Sequence, residues 1–208
     1  MNVVASVEDV VYDASTVLRI PVLVLALGAL ALVIVELGGL IAELVRRRRR
    51  DSDVLERAAV ATRTADSDEA RNRALGALRG AASSDLMAAT FVRVAGQARG
   101  PGAETRIAKS LADYDLQSLR RLERTRMLVR AGPALGLMGT LIPLSPALTG
   151  LQAGNVNQLT DNLRVAFSIT VLGLLVGAVA FAISLVRDRL YAQDLSDLEF
   201  VAALLEES

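Results

Sequence analysis

The chain has no cysteine and no histidine. Disulfides, thiolate nucleophiles, Cys/His zinc sites and imidazole acid–base catalysis are therefore excluded. Lysine occurs once, at Lys109, and the other basic residues are arginines. There is no Gly-x4-Gly-Lys-Ser/Thr phosphate loop, no nucleophile–base–acid triad and no cluster of metal-ligating side chains. The sequence gives no reason to expect an enzyme, a cofactor, a metal or a nucleic-acid partner. A net charge is missing too: 23 basic residues balance 23 acidic ones. Where those charges lie is more informative than their sum.

What the chain has in excess is apolar length. Of 208 residues 52% are hydrophobic, and the mean hydropathy is +0.41, which points to membrane insertion. Three runs are long enough to cross a bilayer core, which takes roughly 20 residues. They are 17–45, 131–151 and 165–186. A cleaved signal peptide is a rival reading of the first, with Ala29-Leu30-Ala31 as a small-x-small site. Against it, Glu8, Asp9 and Asp13 precede the run, and it continues to five arginines, Arg46 to Arg50. Arginines flank the runs unevenly: Arg46 to Arg50 follow the first, Arg120, Arg121, Arg124, Arg126 and Arg130 precede the second, and Arg187 and Arg189 follow the third. Only Arg19 and Arg164 lie at the opposite ends. The positive-inside rule then places segment 1–16 and loop 152–164 outside, with 46–127 and 187–208 in the cytoplasm.

The second and third runs carry stripes of small residues at alternating spacings of four and three, which keeps each set on one helix face. The first stripe is Gly132, Gly136, Gly139, Pro143, Pro146 and Gly150; the other is Ala166, Thr170, Gly173, Gly177, Ala180 and Ser184. Such stripes are surfaces for close helix packing. The bulky set Ile169, Leu172, Val176, Val179, Ile183 and Val186 is expected to face lipid. Neither run contains an acidic residue, so this chain alone cannot carry a proton at depth along them. Glu36 is the carboxylate well inside the first run; about one to two turns from its cytoplasmic border, it can snorkel or form a charge pair with an arginine such as Arg130.

Segment 46–127 reads as several helices, with a start at Ser83-Ser84-Asp85 and a break at Gly100-Pro101-Gly102. From Ala103 the spacing of Ile107, Leu111, Tyr114, Leu119 and Leu122 predicts a helix running on into the second span. Residues 187–208 read as an amphipathic helix packing on the cytoplasmic ones.

The segment Gly132-Pro133-Ala134-Leu135-Gly136-Leu137-Met138-Gly139-Thr140-Leu141-Ile142 resembles the second-helix signature of the MotA/TolQ/ExbB proton channel family, a Pro followed by Leu-Gly-Leu-x-Gly-Thr. Ala166-Phe167-Ser168-Ile169-Thr170-Val171-Leu172-Gly173-Leu174 resembles that family's third-helix signature, Ala-Leu-x-x-Thr-x-x-Gly-Leu. The specific match spans roughly 130–186. The resemblance implies an all-α membrane protein with three transmembrane helices, a helical cytoplasmic domain and a ring-shaped homo-oligomer of five copies. It implies a prokaryotic inner (plasma) membrane location and a single-span partner of the MotB, TolR or ExbD kind. That partner carries a titrating Asp, and the ring converts ion-motive force into motion.

On this resemblance Thr140, Thr170, Ser168 and Pro143 belong to the ion pathway. Gly132, Gly136, Gly139, Ala166, Gly173 and Gly177 form the packing and pore stripe. The chain departs from the pattern at Pro143, where the family more often has Gly, and at Val165, where some members have Glu. A sodium-driven version fits the same residues, and a non-conducting oligomeric scaffold is the alternative from another class. In the bland reading, each Thr hydroxyl only bonds a backbone carbonyl of its own or a neighbouring helix.

Overall fold

A computed structural model describes residues 17–47 and 52–206. Segment 1–16 and Arg48 to Arg50 of the arginine run fall outside the described residues. Among the described residues there are six α-helices and no strand: α1 Arg19–Arg47, α2 Ser52–Arg63, α3 Asp68–Ala81, α4 Asp85–Gln97, α5 Ala103–Gln152 and α6 Val156–Glu206. Helices α1, α5 and α6 are long and apolar enough to cross a membrane. The chain divides into two compact units, one within 1–37 and 124–184, the other within 38–123 and 185–208.

The first unit packs α1, α5 and α6. On α1 the buried stripe is Val22, Ala26, Ala29 and Val33, at spacings of four and three, and Glu36, half-buried, continues it. Its opposite side exposes Ile20, Val24, Leu27 and Ile34, as a lipid-facing helix surface does. Near the start of α1 the Arg19 guanidinium donates to Asn162 Oδ1 at 3.3 Å. Arg19, Val22 and Leu23 close a cavity of about 10 Å3 with Pro143, Val165 and Ile169, which shows α1 lying against the bulky side of α6.

That contact corrects the expected lipid face of α6. Ile169, Val176 and Ile183 are buried, at 5%, 1% and 1% exposure, because α1 and α5 cover their side of the helix. The bulky residues left exposed are instead Phe167, Val171, Leu174, Leu175 and Phe181. The expected loop 152–164 is also much shorter. Helix α6 begins at Val156, so 156–164 are helical and only three residues connect α5 to α6.

The second unit is a helical bundle with one apolar core. Leu78, Met87, Phe91, Val94, Leu198 and Val201 are fully buried there, drawn from α3, α4 and the end of α6. The helix start expected at Ser83-Ser84-Asp85 is capped by Ser84, whose Oγ accepts from Met87 N at 3.2 Å, and Ser67 Oγ caps α3 in the same way, accepting from Ala70 N at 3.2 Å. The Gly100-Pro101-Gly102 break has φ of 91° at Gly100 and 76° at Gly102, backbone that favours glycine. Arg106 closes it from behind, donating to Pro101 O, Arg99 O and Gln97 O at 2.8, 3.1 and 3.2 Å. From Ala103 α5 runs 50 residues without a break, through Pro133, Pro143 and Pro146.

One polar knot lies inside this unit. Asp194 is 1% exposed, and its Oδ2 accepts from Arg47 Nη2 at 2.5 Å, Ser83 Oγ at 2.7 Å and Tyr114 OH at 3.2 Å. Four elements thus meet on one carboxylate: the end of α1, the α3–α4 connection, α5 and α6. Arg47 also donates to Leu190 O at 2.9 Å, and Glu43 lies 3.6 Å from Arg187. Burial and the Asp194 carboxylate push the Tyr114 hydroxyl well above the ordinary tyrosine range. Burial and the Glu43 carboxylate push Tyr191 up as well.

Removing one member of a buried pair strands the other charge, at a cost of about 3–5 kcal/mol, whereas an apolar replacement of both is often neutral. Asp194→Ala is expected to lose that much in thermal or denaturant unfolding in detergent, and Arg47→Met with Asp194→Leu to regain most of it. A raised folded pKa gives stability that is complete below the unfolded tyrosine pKa of about 10 and declines as pH rises above it. Stability should therefore fall from about pH 10 upward, and less steeply in Tyr191→Phe, when melting is followed against pH.

Candidate ion-pathway site on the α5–α6 hairpin

Helices α5 and α6 are joined by Ala153-Gly154-Asn155. Gly154 takes φ 74°; its N–H donates to Leu151 O and that of Asn155 to Gly150 O, both at 2.9 Å. This is the paired bonding of a Schellman stop, which satisfies the last carbonyls of α5. Asn155 Oδ1 then accepts from Gln158 N at 3.1 Å and caps α6. A stop and a start share three residues, so the two helices return antiparallel.

The two small-residue stripes face each other. A Cβ on Gly173 would stand 2.5 Å from Gly132 O and 2.7 Å from Gly136 Cα; one on Gly132 would stand 2.7 Å from Gly173 O. A Cβ on Gly177 would stand 2.8 Å from the Pro133 ring, and one on Gly139 would overlap the Ile169 side chain. Backbone touches backbone here, which only hydrogen side chains permit. Gly132, Gly136, Gly139, Pro143, Ala166, Gly173 and Gly177 are all buried.

The hydroxyls border this seam. Thr170 Oγ1 donates across the pair to Gly136 O at 3.1 Å and lies 3.3 Å from Ala166 O on its own helix. Thr140 Oγ1 donates to Leu137 O and Ser168 Oγ to Arg164 O, each at 2.8 Å. The register that pairs Gly139 with Ile169 places Thr140 level with Ser168. Thr140 and Thr170 are half-buried and Ser168 is exposed. Each hydroxyl proton is thus turned onto a backbone carbonyl, leaving the oxygen lone pairs to accept. Pro143 and Pro146 have no N–H, so the carbonyls of Gly139 and Ile142 lose their helical donors.

Glu36 is half-buried on α1 and Arg130 is exposed on α5. Further along α1, Glu43 lies 3.6 Å from Arg187. The sequence placed Arg47 only among the arginines that follow the first run, without its pairing to Asp194. The signal was present: Glu36, Leu40, Glu43 and Arg47 continue the four-and-three spacing of the buried α1 stripe, which puts charge on a packed face.

Three apolar helices, two of them an antiparallel hairpin sealed by glycines, define an all-helical multi-pass membrane protein. Residues 81–199 match the MotA/TolQ/ExbB proton channel family, and the chain belongs to that family. No individual curated protein matches it. The matched stretch takes in α4, α5 and nearly all of α6, so it holds the hairpin together with α4 of the second unit, while α2 and nearly all of α3 precede it. Proton-channel subunits of this family work within oligomeric complexes with partners.

Overpacking a tight site costs about 1–3 kcal/mol, whereas Gly→Ala in an uncrowded helix gains roughly 0.5–1 kcal/mol. Gly173→Ala is expected to destabilise, because backbone stands in its way. Gly28→Ala, with nothing within 4 Å of the added carbon, is expected to be neutral or stabilising. Melting of the two variants in detergent should show a lowered midpoint for Gly173→Ala and an unchanged or raised one for Gly28→Ala.

Proposed function

We propose that this chain is the ring-forming subunit of a proton channel in a prokaryotic inner membrane, with five copies enclosing the transmembrane helix of a single-span partner. Its spans lie within 17–45, 131–151 and 165–186. The N-terminus and the α5–α6 turn are outside; segment 46–127 and the C-terminal helix are cytoplasmic. The observation that carries the reading is the hairpin: it matches the family, presents Thr140, Thr170 and Ser168 along one seam, and holds no acid within its two apolar spans, 131–151 and 165–186. An ionisable group must then come from a partner, as an Asp does in the MotB, TolR and ExbD kind.

The energetics of such a pairing are balanced. An Asp at mid-bilayer costs about 2.5–3.5 kcal/mol, and one proton crossing 100 mV yields about 2.3 kcal/mol. With their protons on backbone carbonyls, Thr140 and Ser168 offer lone pairs that suit a protonated acid. An ionised carboxylate needs donors and is better served by water. The site therefore favours the neutral acid at the threonine level, and loss of the proton drives the acid away from it, which is the step that couples ion flow to motion. Glu36 and Arg130 belong to the flanks of this path rather than to its centre.

The scaffold reading is supported by one observation: the glycines and the Thr170 hydroxyl are engaged in packing within a single chain. Proton flux into liposomes, with and without the co-encoded single-span protein, separates the two. Flux that needs the partner, and falls at least about tenfold in Thr140→Val with Thr170→Val, is expected for a channel whose site removes about 1.4 kcal/mol or more of barrier. Flux unchanged in the double variant would refute the site, and absence of partner-dependent flux would favour the scaffold. Replacing the proton gradient by a sodium gradient distinguishes the driving ion.

A further inference from the structure

The glycine contacts fix the register of α5 against α6 from end to end: Gly132 meets Gly177, Gly139 meets Ile169, and Gly150 meets Gln158. Each step along α5 is matched by an opposite step along α6. Leu144 is therefore level with Arg164, Arg130 with Ala178, and Ala134 with Leu174. The apolar runs of the two helices, 131–151 and 165–186, are consequently not level with one another. Towards the connecting turn, α6 exposes Asp161, Arg164 and Ser168 where α5 still exposes Leu141, Leu144 and Leu148. Towards the other end, α5 exposes Arg130 where α6 still exposes Ala178 and Phe181.

The polar positions share faces. Asp161, Arg164 and Ser168 follow a spacing of three and four, one side of a helix. Arg130 and Ala134 are one turn apart. Arg130 stands eight residues, or about 12 Å, short of the level at which the apolar run of α6 ends. No ion pair is found for Arg130, Asp161 or Arg164 among the described residues. An unpaired charge facing hydrocarbon is costly, and intramembrane charges turn to water or to a partner. The leucines and phenylalanine at the same levels have no such need.

We propose that the hairpin is wetted on opposite helices at its two ends. Water enters from the turn side along Asp161, Arg164 and Ser168 of α6. It enters from the other side along Arg130 and Ala134 of α5. The two vestibules stop at the level of Thr140 and Thr170, and because they lie on different helices they are offset around the hairpin. An ion cannot pass straight from one to the other; it has to be carried across by a group that visits both. This deepens the channel reading by giving each side of the membrane its own access route.

The natural absence of cysteine allows a direct test on the full chain, reconstituted with its single-span neighbour. Single cysteines are compared in level pairs with a membrane-impermeant maleimide applied from either side. From the turn side Arg164→Cys is expected to react at least about tenfold faster than Leu144→Cys, and from the opposite side Ala134→Cys than Leu174→Cys, because hydrocarbon excludes the charged reagent. Ser168→Cys repeats the turn-side test should Arg164→Cys fail to assemble. Equal rates within each pair would mean that level alone sets access, and silence at both Arg164→Cys and Ala134→Cys would mean a sealed hairpin; either result overturns the proposal. Labelling requires no conduction, so a failed flux assay bears on the channel reading and not on this one.

Discussion

The direct contact of two helix backbones at Gly132, Gly136, Gly173 and Gly177 governs the rest of the membrane unit. Without side chains between them α5 and α6 approach until carbonyl oxygens face α-carbons, and that proximity sets their register to a single value. The register in turn decides which residues share a level, which hydroxyls border the seam and which arginines are left beside apolar neighbours. It also leaves room for the Thr170 hydroxyl to reach a carbonyl of the other helix. A lipid environment supplies little hydrophobic drive between helices, so this geometric fit and the cover given by α1 have to supply the specificity.

The second unit is organised by a different force. Its core is ordinary apolar packing around Phe91, Met87 and Leu198, but its four contributing elements are pinned together by the buried Asp194 carboxylate. Burial of that charge is tolerable because three donors converge on one oxygen. Such a knot adds little net stability against an apolar substitute. What it supplies is discrimination: the end of α1 fits α6 at one place only, since any slip by a turn separates Arg47 from Asp194.

Much of this was legible in the chain itself. Three apolar runs, the serine cap at Ser84, the Gly-Pro-Gly break and the uninterrupted helix from Ala103 all follow from local rules that neighbouring residues suffice to express. The small stripes predicted a close contact, and Gly132 to Gly177 make it. What was not legible depended on the third dimension. Ile169, Val176 and Ile183 looked like a lipid face because periodicity distinguishes one side of a helix from another but not lipid from a covering helix. The nine polar-leaning residues before Val165 looked like a loop, although a cap at Asn155 and a stop at Gly154 were enough to begin the helix early. The Arg47–Asp194 pairing joins residues far apart in sequence, and only the charged continuation of a buried stripe hinted at it.

That separation has a consequence for biosynthesis. Arg47 and Asp194 lie 147 residues apart, and at 5–20 residues per second the second is made on the order of ten seconds after the first. Through that interval the Arg47 guanidinium, the Ser83 and Tyr114 hydroxyls and the core face of α4 exist without the carboxylate that gathers them. The helical unit therefore cannot close as it is synthesised. It waits for the last helix, whose C-terminal part supplies Asp194, so that completion of the fold follows synthesis of all three apolar helices.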